Sequence, residues 1–149
     1  MDVRGKQKNS TSMKIDYEKI KIFLEAVESS DLPVINTIRI FKYLDYDIEN
    51  DEDSKNVMFY LRLLKDQGLI ECVSDNELDR DNMGFSFLGN GGIVIKSLNF
   101  RLTINGHQAL ESMNNSKIWG KIKEPLGKLG IEGLKQIPSL AIKLLLYNK

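Results

Sequence analysis

The chain has 149 residues, 42% of them hydrophobic and 28% charged, with 21 basic side chains balancing 21 acidic ones. That length suits one domain with a real core, and the single cysteine, Cys72, excludes an internal disulfide. One histidine, His107, leaves no Cys/His set for zinc, and no apolar run approaches the roughly 20 residues that span a bilayer.

The opening residues are polar and lack the apolar run of a signal peptide, so a cytoplasmic protein without membrane insertion is expected. Charge is neutral in sum but segregated. Residues 1–44 hold eight bases and six acids, 45–82 hold four and twelve, and 83–149 hold nine and three. An acidic middle and a basic end make a dipolar surface that orients a charged partner or a second copy.

Residues 1–12 show no apolar period and read as a disordered tail, with Arg4, Lys6 and Lys8 among polar neighbours. From Asp16, a capping residue, Ile20, Phe23, Leu24 and Val27 recur at helical spacing. Ser29-Ser30-Asp31-Leu32-Pro33 breaks that helix. Val34 to Leu44 then fits a helix, through Ile35, Ile38 and Phe41, or a short strand, through the alternation of Ile38 and Ile40.

Asp45, Asp47, Glu49, Asp51, Glu52 and Asp53 form an acidic loop. A calcium loop counted from Asp45 would need glycine at Asn50 and glutamate at Asn56, so the pattern fails at two required positions. A helix from about Ser54 to Gln67 follows. It buries Val57, Tyr60, Leu61 and Leu64 and leaves Lys55, Phe59, Arg62 and Asp66 facing out. Gly68 stops it in the left-handed conformation, with Leu69 folding back.

Leu69 to Val73 reads as a strand and Ser74 to Asn82 as a polar loop. Phe85 to Phe87 and Ile93 to Ile95 flank Gly89-Asn90-Gly91-Gly92 as a hairpin, and Leu98, Phe100 and Leu102 alternate along a last strand. Thr103 caps a helix carrying Ala109, Leu110 and Met113. Ser116 caps another, carrying Ile118, Trp119 and Ile122, that ends before Pro125. Ile137, Leu140, Ala141, Leu144 and Leu145 stripe a final helix that packs on the core or on a second subunit.

Helix, two- to three-stranded wing sheet and helix predict an α+β, mainly helical fold, a winged helix-turn-helix with additional C-terminal helices. The expected organisation is a tail over 1–12, a winged-helix core over 13–115 and a helical extension over 116–149. Three segments carry a resemblance: residues 57–71 (VMFYLRLLKDQGLIE), Arg101-Leu102-Thr103-Ile104-Asn105-Gly106-His107, and residues 117–124 (KIWGKIKE). Leu-Thr-x-x-Gly-His followed by Ile-Trp is its specific part. Together they resemble an uncharacterised winged-helix family of unknown function common in bacteria and prophages. Family members favour Tyr-His where this chain has Phe59-Tyr60, and an aromatic where it has Ile104. The resemblance implies a winged-helix fold and a mobile-element setting, and it supplies no activity or catalytic residue.

No Gly-x-Ser-x-Gly, no phosphate-cradling Gly-Lys-Ser/Thr and no histidine pair occurs, so neither an enzyme, a cofactor nor a metal site is expected. His107 and Trp119 read as structural. Two partners compete. Double-stranded DNA is favoured by the fold and by Lys55, Arg62, Lys65, Lys96 and Arg101, which makes a small transcriptional regulator the leading expectation. A protein partner is favoured by outward-facing Phe59 and by the acids flanking both contact points, which repel phosphate. A homodimer through the final helix is a further expectation.

Overall fold

The computed structural model describes residues 16–147, which form an α+β, mainly helical unit with a small antiparallel sheet. The tail expected over 1–12 lies outside these residues. Helix α1 (Tyr17–Glu28) starts where Asp16 accepts hydrogen bonds from the Glu18 and Lys19 amides, and it buries Ile20, Phe23, Leu24, Ala26 and Val27.

The segment after Pro33 holds a strand and then a helix, but Ile38 and Ile40, whose alternation suggested the strand, lie in the helix. Ile35–Asn36 is a two-residue strand, β1, and Asn36 then caps helix α2 (Thr37–Tyr43) through the Arg39 amide. Helix α3 (Asp51–Asp66) begins three residues before the expected Ser54. Asn50 accepts from the Asp53 amide, so three of the acids assigned to the loop occupy the first helical turn, where the helix dipole favours them. Gly68 closes the helix at φ 74°, and the Leu69 amide reaches back to the Leu64 carbonyl.

Strand β2 (Ile70–Val73) is followed by a short helix, α4 (Glu77–Asn82), where a polar loop was expected. Asn76 caps α4, and none of its residues is buried, so it carries no apolar period. Strands β3 (Phe85–Phe87) and β4 (Ile93–Ile95) pair as the expected hairpin, Phe85 opposite Ile95 and Phe87 opposite Ile93. Strand β5 (Asn99–Leu102) is the centre of a separate three-stranded sheet in the order β1–β5–β2, all antiparallel. Phe100 faces both Ile35 and Cys72 across it.

The Leu-Thr-x-x-Gly segment has a mechanical explanation. Leu102 is buried at the end of β5, and the Thr103 hydroxyl caps helix α5 (Ile104–Asn114) by accepting from the Gly106 amide while donating to the Gly68 carbonyl. A Cβ at Gly106 would stand 1.9 Å from the Leu69 carbonyl oxygen, so only glycine lets α5 meet the exit of α3 this closely.

Helix α6 (Ser116–Leu129) is capped by Asn115 rather than Ser116, and it continues through Pro125 instead of ending before it. Ile122 and Leu126 are buried on either side of the exposed proline, so packing holds the two turns together despite the missing amide donor. A 3-10 turn (Gly130–Gln136) leads to helix α7 (Ile137–Tyr147). These last elements join the main core through Trp119, Ile122, Leu126, Leu134 and Ile137. Tyr17 fastens them to α1: its ring meets Trp119 edge-on at 5.8 Å, and its hydroxyl donates to the Leu126 carbonyl at 2.9 Å. The C-terminal extension thus packs on its own chain, with Ile137 and Ala141 of the final helix buried. Among the described residues, no helix is long and apolar enough to cross a membrane.

Candidate functional site

Helix α3 presents one stripe to solvent, Glu52, Lys55, Phe59, Arg62 and Asp66, spaced by three or four residues. Its opposite side is fixed by burial: Phe23 of α1 stacks on Tyr60 at 4.9 Å between ring centroids, and Lys19 caps the Tyr60 ring. Burial, then the neighbouring Asp16 and Tyr46, holds the Tyr60 hydroxyl above its ordinary pKa. This anchored face fixes which side chains of α3 point outward.

Phe59 is 46% exposed and meets the Tyr60 ring edge-on. Beside it lies a shallow cleft of about 390 Å³, lined by Met58, Phe59, Arg62, Leu63, Asp66 and Gln67. Met58, Leu63 and Gln67 were not singled out from the sequence. The signal was present, since Phe59, Leu63 and Gln67 succeed one another at four-residue steps along the helix, but Gln67 next to Gly68 reads only as a helix exit.

The six side chains expected to contact a partner fall into different surroundings. Lys55 pairs with Glu52 at 3.9 Å, one turn back. Lys65 is half-buried on the flank of α3, and its charge acts on Cys72 of β2. Lys96, just after the hairpin, binds Asp79 of α4 at 2.7 Å. Arg101 is paired with Glu71, its cross-strand partner. Arg101 also lines another cleft, with Glu28, Leu32, Pro33 and His107, where the exposed His107 ring stands 3.7 Å from Glu28. Only Phe59 and Arg62 share the cleft on α3.

The acids before α3 act on the backbone. The Asp53 carboxylate accepts from the Asp47 amide, and the Asp47 carboxylate accepts from the Glu49 amide. Among the described residues no group of three or more His, Cys, Asp or Glu side chains could hold a metal ion. Cys72 is buried, and burial followed by the Asp79 charge raises its thiol pKa, with Lys65 and Arg80 opposing. A thiol so protonated is a poor nucleophile.

No family model, curated protein or solved structure matches this chain.

Proposed function

We propose that this chain is a winged-helix protein that docks a protein partner on the outward face of α3. The element order supports the first half: α1, β1, α2, α3, β2 and β5 follow the helix-turn-helix-and-wing sequence, with α4 and the β3–β4 hairpin inserted between the wing strands. It also accords with the family resemblance of the Gly68-Leu69 and Leu-Thr-x-x-Gly-His segments.

One observation carries the choice of partner. Lys55, Lys96 and Arg101, expected to meet phosphate, each stand against a carboxylate, while Phe59 projects beside a cleft walled by Met58 and Leu63. Duplex affinity grows with the phosphates neutralised, and Asp51, Glu52 and Asp53 at the start of α3 oppose that approach. A half-exposed phenylalanine flanked by one cation and one anion has instead the make-up of an interface anchor.

A regulator that binds double-stranded DNA is the second reading. It is favoured by the same element order and by Arg62 and Lys65, which make no ion pair among the described residues. Titration of a mixed-sequence duplex by fluorescence anisotropy at about 20 mM and about 150 mM salt separates the two. The docking reading expects no saturable binding at either salt. Steeply salt-sensitive binding that Arg62→Glu abolishes would replace it with the regulator. In parallel, a partner retained by the wild-type chain is expected to be lost by Phe59→Ala with an unchanged melting profile.

A further inference from the structure

We infer that the β3–β4 hairpin joins two copies of this chain edge to edge, strand β4 of one against β4 of the other, about a two-fold axis at Val94. No residue of α3 takes part, so this interface is independent of the docking face above. The register fixes which backbone groups are free. The Lys96 amide donates to the Gly84 carbonyl and the Leu88 amide to the Gly92 carbonyl, and ladder bonds alternate along an antiparallel pair. Val94 therefore turns its backbone groups toward Ser86, while Ile93 and Ile95 turn theirs away from β3. The sheet has two strands, so no third strand takes them.

Natural sheets blunt an unpaired edge with lysine, proline or a bulge. This edge has none of these: residues 84–95 contain no charge and no proline, the pairing runs in unbroken register, and Phe87, Leu88 and Val94 are exposed.

The occupant is identified by the match of the edge to itself. Ile93-Val94-Ile95 reads the same in both directions, so an axis at Val94 sets Ile93 against Ile95 of the second copy and Val94 against its counterpart. Each facing isoleucine pair exchanges both of its backbone bonds, N–H to C=O, and the two valines meet at the close, non-bonded position between them. Continuing that register places Lys96 opposite Gly92 of the second copy. The nearest cation, already paired with Asp79 of its own chain, thus meets a residue without a side chain rather than a like charge. Strand β3 offers no such match: an axis at Ser86 would set Phe85 against Phe87, and Phe85 is already buried in the core. A lipid surface would take the apolar side chains but leave the Ile93 and Ile95 backbone groups unpaired in hydrocarbon, where each is costly.

Sedimentation equilibrium of the full chain tests the pairing. A contact this small belongs to the transient class, so the mass should climb from one chain to two at on the order of 100 µM and rise no further. Val94→Lys and Val94→Glu, at an exposed position, should each keep the melting profile and hold the mass at one chain, because like charges would face at the axis. An equimolar mixture of the two variants should recover the wild-type association as a mixed pair. Phe59→Ala should pair as the wild type does. A wild type that stays single, a Val94→Lys that pairs undiminished, or a mixture that stays single would each overturn the inference. Growth past two chains would replace the closed pair with open-ended stacking, and loss of pairing in Phe59→Ala would move the interface to α3; either overturns it. A wild type that stays single in solution but sediments with phosphatidylcholine vesicles would assign the hairpin to a lipid surface instead.

Discussion

Strand β5 and the β3–β4 hairpin are separated by three residues, β5 and β3 are written in the same alternation of apolar and polar side chains, and the two regions end in opposite environments. Phe100 of β5 is completely buried, whereas Phe87 of β3 is 61% exposed. The difference lies in what surrounds each strand. β5 is paired on both edges and lies against α1. Each hairpin strand has one neighbour, and the hairpin is moored at its base by Met83, Phe85 and the Lys96 amide bonded to the Gly84 carbonyl. Beyond that base the apolar residues Phe87, Leu88 and Val94 reach solvent, and no charged residue occurs between Met83 and Ile95. Period-two patterning therefore specifies a strand and says little about which strand the core receives.

Alanine at the two phenylalanines gives the largest expected contrast. Phe100→Ala should lower the unfolding free energy by about 4 kcal/mol, from lost burial plus a cavity. Phe87→Ala should change it by less than about 0.5 kcal/mol. Urea titrations of both variants check this, and comparable losses would mean that the hairpin is embedded as deeply as the sheet.

Glycine substitutions sharpen the picture of a hairpin held only at its base. At Gly84 (φ +85°) a Cβ would lie 2.2 Å from the Lys96 carbonyl oxygen, so Gly84→Ala should cost about 3 kcal/mol through both strain and clash. At Gly91 (φ +87°) none of the described residues would lie within 4 Å of an added Cβ, and Gly91→Ala should cost about 1 kcal/mol from backbone conformation alone. Thermal melts order the two, and the reverse order would move the mooring to the tip.

Thr103→Ala, on the sheet side, should cost about 1 to 2 kcal/mol, because one hydroxyl serves both the α5 cap and the Gly68 carbonyl. Retained stability would show that Gly106 packing alone joins β5 to α5.

The smallest expected effect is alkaline. The Cys72 thiol pKa is raised in the folded state, first by burial and then by Asp79, so the unfolded chain gives up its proton at lower pH than the native one. The contribution to stability is present below the unfolded thiol's pKa and is lost as pH rises through the folded value. Tyr17 and Tyr60, also raised by burial, act in the same direction at higher pH. The urea midpoint should fall as pH climbs through the thiol range, and more gently in Cys72→Ala. An identical decline in the variant would assign the effect to the tyrosines.

Local chemistry made much of the architecture legible beforehand. Asp16, Gly68 and Thr103 each terminate or start a helix through their own backbone geometry or a hydrogen bond within a few residues, and all three act as read. The solvent stripe of α3 likewise follows from helical spacing, which placed Phe59 and Arg62 outside. Helix α4 escaped notice because it buries nothing, so its only signal is the Asn76 cap. Pro125 misled because a missing amide donor ordinarily ends a helix, and the burial of Ile122 and Leu126 that overrides it is not a local property.

The amino-acid order by itself determined most of the helices, the Asp16, Gly68 and Thr103 ends, most of the strands and the separation of acidic from basic segments, because each depends on neighbours within a turn or two. Tertiary structure alone decided that β5 lies at the centre of its sheet, that Lys96 and Arg101 are held by Asp79 and Glu71, and that Gln67 is buried on the same cleft as Phe59. Burial and charge pairing are sums over residues far apart in the chain, so they exist only once the packing brings those residues together.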